Sequence, residues 1–187
     1  RAMLDFAPEQ DATVSALIEQ ASRAITDYCR RPFALETVRE VFPINGARLG
    51  VLLARGPVST ITEARQDEEI LPSAGYWHDQ ATGMLYSLGE DGYRRAWTGS
   101  WLTVTYAAGY VLPSDEEGAE SPTLPASVER AAIRLVGAYL SLQSRDPLVK
   151  SETTEGIGST SWWVPGAGSM FADPETEHLL QPYRRLF

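Results

Sequence analysis

Two apolar stripes at helical spacing, one near each end of the chain, bracket a middle stretch that continues neither of them. Val14, Leu17, Ile18, Ala21, Ile25 and Tyr28 recur at three- and four-residue steps, the mark of one buried helix face. Glu19, Gln20, Arg23 and Asp27 fall off that face. Asp11 can cap or charge the first turn, Arg30 and Arg31 complement the negative end, and Pro32 stops the helix. The second stripe is Val128, Ala131, Ala132, Leu135, Val136, Tyr139 and Leu140. Pro125 stands at or near its first helical position and Pro147 just past its end. Two such stripes predict two long helices packed on each other.

Between them the period changes from helical to two. Thr37–Phe42 alternates, Val51–Leu53 is a short apolar run, and Val58–Ala64 follows a Gly56-Pro57 turn. Tyr76–His78 and Met84–Leu88 flank Asp79-Gln80-Ala81-Thr82-Gly83, which suits a hairpin connection. Trp101–Tyr106 is β-branched and aromatic and ends at Gly109 and Pro113, before a solvated acidic loop over Ser114–Thr123. The expected fold class is therefore α+β, mainly helical: two long packed helices with a small antiparallel β-sheet inserted between them, and an extended C-terminal arm ending in a short helix. The expected domains are residues 1–150, with the β insertion at about 35–110, and an arm at 151–187.

The arm is read from a shift in composition. Ser151–Ser169 is rich in Gly, Ser and Thr and carries no periodic apolar pattern apart from Trp162-Trp163, so alone it cannot offset its ordering entropy. Tryptophan in such a segment needs a surface to meet, and aromatic side chains are enriched at interface hot spots. Asp173-Pro174-Glu175 signals a helix start, leading to Leu179, Leu180, Tyr183, Leu186 and Phe187 with Arg184 and Arg185 beside them. Two apolar clusters joined by polar chain form a tether suited to docking on another subunit.

Charge and motif content narrow the chemistry. The net charge is −9 and Lys150 is the only lysine, which disfavours gripping nucleic acid through phosphate contacts. The chain has one cysteine, so no internal disulfide forms, and Cys29 closes an apolar stripe as a buried, inert thiol would. No run approaches a membrane span, and Arg1-Ala2-Met3-Leu4 opens without the apolar stretch of a signal peptide. His78 and His178 have no neighbouring ligand motif, and the acids Asp67-Glu68-Glu69 and Asp115-Glu116-Glu117 fall in turns, where acid runs are usually solvated. No Gly-x-Ser-x-Gly elbow occurs, and Gly156-Ile157-Gly158 and Gly166-Ala167-Gly168 lack the strand and helix of a phosphate cradle. The expectation is no enzyme, no cofactor and no metal.

The order of parts resembles the head–tail connector (adaptor, or head-completion) proteins of long-tailed phages and phage-like gene transfer particles. The resemblance rests on Ala24-Ile25-Thr26-Asp27-Tyr28-Cys29-Arg30-Arg31-Pro32-Phe33, on Arg55-Gly56-Pro57-Val58-Ser59-Thr60-Ile61, and on Val104-Thr105-Tyr106-Ala107-Ala108-Gly109-Tyr110. Leu124-Pro125 at the second helix and Leu180-Gln181-Pro182-Tyr183-Arg184-Arg185 near the end complete the ordered set. It implies a structural virion protein at the head–tail interface, assembled in the host cytoplasm into a ring of about twelve copies below the portal. The ring would extend the DNA channel and present a surface to the next tail-side connector or stopper protein. DNA would pass through the lumen without specific binding, since acidic or neutral walls repel phosphates. The C-terminal segment would reach the portal, with Trp162, Trp163, Leu179, Leu180, Tyr183, Arg184, Arg185, Leu186 and Phe187 as docking residues. Two other readings remain at this point. One is a small non-viral ligand-binding or enzymatic α+β domain with Tyr76, Trp77, His78 and Tyr86 lining a pocket. The other is a different virion part, a stopper or tail terminator.

Overall fold

The structure, a computed structural model, describes residues 11–80, 82–114, 116–143, 151–154, 158–161, 170–171 and 173–185; for 11, 143, 151–154 and 158–161 it describes the backbone alone. The chain divides into two compact units, one formed by Arg1–Pro32 with Leu124–Phe187 and the other by Phe33–Thr123.

In the first unit α1 (Asp11–Cys29) packs against α2 (Ala126–Gln143), and α2 against a short α3 (Pro174–Leu180). The α1 stripe is buried at Val14, Leu17, Ala21, Ile25, Tyr28 and Cys29, with Ile18 at its solvent edge. Helix α1 ends in paired reverse hydrogen bonds: the Arg31 amide donates to the Thr26 carbonyl and the Arg30 amide to that of Asp27. This is the six-to-one, five-to-two pattern that satisfies the last carbonyls of a helix. It places Arg30 at φ 54°, a left-handed position usually held by glycine. At the start of α2 the Pro125 carbonyl accepts the Val128 and Glu129 amides, a role that needs no N–H from the proline. Strands β9 (Ser151–Thr154) and β10 (Gly158–Ser161) pair antiparallel.

The second unit holds two antiparallel sheets. One has the order β1 (Glu36–Pro43), β8 (Trp101–Ala108), β3 (Val58–Gln66), β4 (Glu69–Ile70). The other has the order β2 (Gly50–Leu52), β6 (Met84–Leu88), β5 (Tyr76–Asp79), with β7 (Arg94–Arg95) also paired to β6. Their inner faces share one core: Val58, Leu102, Val104, Tyr106 and Ala108 from the first sheet meet Val51 and Leu85 from the second, with Trp97 and Ile44 between strands. Alternation along β8 is strict, with Leu102, Val104, Tyr106 and Ala108 inward. Tyr106 brings a hydroxyl into this core and satisfies it by donating to Glu40 Oε1 at 2.7 Å while accepting the Arg55 amide at 3.0 Å. Glu40, half-buried on the inner side of β1, also accepts the Ala54 amide.

The α+β class holds, but the proportions differ from expectation. Among the described residues helix and strand occupy comparable shares, so that part of the chain is not mainly helical. Short strands β4 and β7, and the paired strands β9 and β10 inside the stretch read as an extended arm, supply the difference. Pairing of so few residues leaves little trace of alternation in a sequence. Toward the C-terminus the expected short helix is present as α3, and Phe171 and Leu180 are buried within the helical unit.

Two backbone positions test this geometry. Gly109 has φ +115°, and a Cβ there would stand 2.2 Å from the Ala34 carbonyl oxygen. Gly109→Ala is expected to lower stability by more than ~2 kcal/mol, because strain and a backbone clash add. Arg30→Gly should instead raise the unfolding free energy by up to ~1 kcal/mol, by relieving the left-handed position. Thermal or urea unfolding of the two variants reads both signs.

Candidate functional site

Helix α3 begins at Pro174, whose fixed φ suits a first helical position. The preceding Asp173 directs its carboxylate to another helix. Arg134 of α2 donates to it twice, Nε to Oδ2 at 2.7 Å and Nη2 to Oδ1 at 3.0 Å. Thr176, fully buried, donates its hydroxyl to the same Oδ2 at 2.8 Å. Arg134 also reaches Glu175 at 2.9 Å, and Arg130 lies 3.5 Å from that carboxylate. Bidentate arginine–carboxylate pairs are among the stronger polar contacts. The Arg134 guanidinium holds the Asp173 carboxyl down at about 2, the Thr176 hydroxyl adding to the effect against the opposing cost of burial.

Below the clamp lies an apolar seat. Phe171 meets the Tyr28 ring edge-on at 5.1 Å, and Leu180 is fully buried. The Cys29 thiol points at the Leu180 carbonyl at 4.0 Å, and burial pushes its pKa up to about 11, which keeps it protonated and unreactive. Burial, reinforced by the Glu177 carboxylate, raises the Tyr28 phenol as well; its hydroxyl donates to Glu177 at 3.4 Å. Farther on, Tyr183 and Ser127 share a hydroxyl–hydroxyl bond of 2.9 Å, Arg184 lies 5.2 Å over the Tyr28 ring, and the Arg185 amide donates to the Cys29 carbonyl.

The residues expected to dock on a portal thus separate. Leu180 is buried in its own unit, Leu179, Tyr183 and Arg185 are half-buried, and Arg184 is exposed while covering Tyr28. Trp162, Trp163, Leu186 and Phe187 lie outside the described residues. Arg134 and Thr176 are not singled out by the sequence, and Asp173 only as part of a helix start. The Asp-Pro-Glu helix start was legible there, but an ionic partner 39 residues upstream leaves no local signal.

The alternative pocket wall does not assemble. Trp77 and Tyr86 are directly paired across β5 and β6 and stack at 5.6 Å on the outer face of their sheet. Tyr76 packs toward the core, and His78, one residue from Trp77, is on the opposite face. Of the acidic turn, Asp67 accepts the Ser100 and Trp101 amides at 2.9 Å each, tying the β3–β4 turn to the start of β8. Among the described residues no group of three or more His, Cys, Asp or Glu could hold a metal ion. A shallow open depression on α1 is lined by Ser22, Arg23, Thr26 and Asp27. Among the described residues, no helix is long and apolar enough to cross a membrane.

A family model described as head completion protein matches residues 4–186. The chain belongs to that family. As a head completion protein it is a structural protein of a virion. Two solved structures show the same fold at 17% identity. One is a chain in the neck of an empty gene transfer agent particle computed with C6 symmetry, with a TM-score of 0.54 over 98% of this chain and 84% of that one. The other is from the neck of the native particle computed with C12 symmetry, with a TM-score of 0.56 over 96% and 85%. The native virion of the gene transfer agent contains a chain similar at the same level, with a TM-score of 0.54 and 17% identity over 98% and 81%. No curated protein matches the chain. Family and fold support a head–tail connector role.

The clamp makes a signed prediction about acid. Because the Asp173 pKa is lowered in the folded state, its contribution is complete above the ordinary carboxylate value of about 4 and is lost as pH falls toward 2. The stability difference between the wild-type head completion protein and Asp173→Asn should therefore shrink across that window, measured by urea unfolding at stepped pH. Leu180→Ala should cost ~2–5 kcal/mol at neutral pH, the range for truncating a fully buried leucine.

Proposed function

We propose that this head completion protein is a head–tail connector that forms a ring below the portal, extends the DNA channel and offers its far side to the next tail-side component. The observation that carries this reading is the family match over nearly the entire chain. The neck structures with the same fold were computed with C6 and C12 symmetry, which supports a ring of copies here. The net charge of −9 supports a channel through which DNA slides, because acidic walls repel phosphates.

Portal docking is assigned to a narrower set of residues than the sequence suggested. Leu180, Tyr183 and Arg184 serve the seat of α3, and exposing them would sacrifice that packing. Trp162, Trp163, Leu186 and Phe187 carry the docking. Linking such a segment to a ring multiplies weak contacts through effective concentration.

The double substitution Trp162→Ala, Trp163→Ala tests this. Heads should accumulate without attached tails, and binding to isolated portal should fall at least ~30-fold, the scale of a hot-spot aromatic. The purified variant should keep its unfolding midpoint. Particles that join heads to tails as well as wild type would overturn the docking role.

A further inference from the structure

Four arginines meet at the end of α1. Arg30 and Arg31 follow the helix directly, and Arg184 and Arg185 follow Tyr183. The Arg185 amide donates to the Cys29 carbonyl at 3.0 Å, which brings the two pairs side by side. Arg184 lies 5.2 Å over the Tyr28 ring, and the charges of Arg31 and Arg184 both act on the buried Cys29 thiol. Arg30 and Arg184 are exposed, and neither forms an ion pair among the described residues. Two carboxylates stand on the same elements. Glu177 accepts the Tyr28 hydroxyl and the Met170 amide, and Asp27 is exposed in the last turn of α1. With both counted the cluster is still positive, in a chain whose net charge is −9.

Arg30 gives a second, independent sign. Its φ of 54° belongs to a position after a helix where glycine is usual, and a Cβ there is strained. Strained residues concentrate where a side chain has work outside the fold. An arginine kept at this position is one.

The matching charge is in the loop before α2. Asp115, Glu116, Glu117 and Glu120 are the densest run of acids in the chain, and no arginine or lysine lies between Arg95 and Arg130. Glu116, Glu117 and Glu120 are exposed and form no ion pair among the described residues. The base of the loop is fixed, because the Val111 amide donates to the Thr123 hydroxyl at 2.9 Å and the Thr123 amide to the Val111 carbonyl at 3.0 Å.

Arginine clusters take phosphates and carboxylates alike. A DNA duplex carries its charge along its whole length and would meet the acidic remainder of this surface, which repels it. A short acidic loop meets the arginines alone. We propose that the patch of Arg30, Arg31, Arg184 and Arg185 on one copy of this chain receives the 115–120 loop of the next. Every copy carries both features. Because they are different surfaces, each added copy leaves one patch and one loop free until a rotation closes the set. Isolated exposed ion pairs contribute little, so the contact depends on several guanidiniums meeting several carboxylates at once. This assignment rests on the connector reading and names a contact between neighbouring copies.

The test takes the full chain at low salt and reads association by sedimentation. Arg30→Gly should raise the concentration for half-association at least ~10-fold. It also relieves the left-handed position, so weaker association in this variant cannot come from weaker folding. Glu116→Arg with Glu117→Arg should weaken association as much, and so should Arg30→Glu with Arg184→Glu. Mixing these two double variants should restore most of it, since each then meets a loop or patch of opposite charge. Arg30→Gly and the loop variant leave the cover of Arg184 over Tyr28 untouched, so the result does not hang on that packing. A short DNA duplex should not bind the wild-type chain under the same conditions. Association unchanged in the variants, no rescue on mixing, or a wild-type chain that stays monomeric overturns the contact. A duplex that binds the wild type and is released by Arg30→Gly assigns the patch to nucleic acid and overturns it too. Each of these outcomes leaves the connector reading in place, which stands or falls on the head-to-tail joining of particles.

Discussion

Two amphipathic helices laid side by side cover only part of each other's apolar stripe, and in this chain Phe171 and α3 close the uncovered part. Phe171 against Tyr28, and Leu180 fully buried near Cys29, complete the seat. The bidentate Arg134–Asp173 pair fixes how α3 enters it. Without that return, Tyr28 and Cys29 at the end of α1 would face water, and the first and last described parts of the unit would share no contact. The apolar contacts supply the driving force, and the ion pair with the buried Thr176 hydroxyl sets direction, since hydrophobic burial itself has none.

The β unit solves a similar problem by other means. Each sheet is apolar on its inner face, and the two faces bury each other around Trp97, Leu102 and Val104. The one inward polar group on β8, the Tyr106 hydroxyl, is satisfied by Glu40 and the Arg55 amide, so the core tolerates it. On the outer faces Trp77 stacks on Tyr86 with Arg94 over both rings in one sheet, and Val41 and Trp101 stand exposed beside Arg39 and Arg65 in the other.

Much of this was legible in residue order, for local reasons. The α1 and α2 stripes, the strict alternation of Trp101–Tyr106 and the Asp-Pro-Glu start of α3 are patterns written over a few turns or a single strand. The family resemblance was carried by the order of such patterns along almost the whole chain. The fate of Leu180 was not legible. The same run of Leu179, Leu180 and Tyr183 suits an apolar surface supplied by a neighbour or by the chain itself, and nothing nearby in sequence distinguishes the two.

By itself the sequence determined where helices and strands form, where they stop, and that no catalytic constellation is spelled out along the chain, because periodicity, prolines and motif spacing are local quantities. Only the tertiary structure decided that Phe171 and α3 pack on α1 and α2, that Arg134 meets Asp173, and that Trp77 and His78 part to opposite faces while Trp77 and Tyr86 join. Those outcomes depend on which distant surfaces meet, and burial rewards any apolar partner of suitable shape. Geometry alone makes the choice.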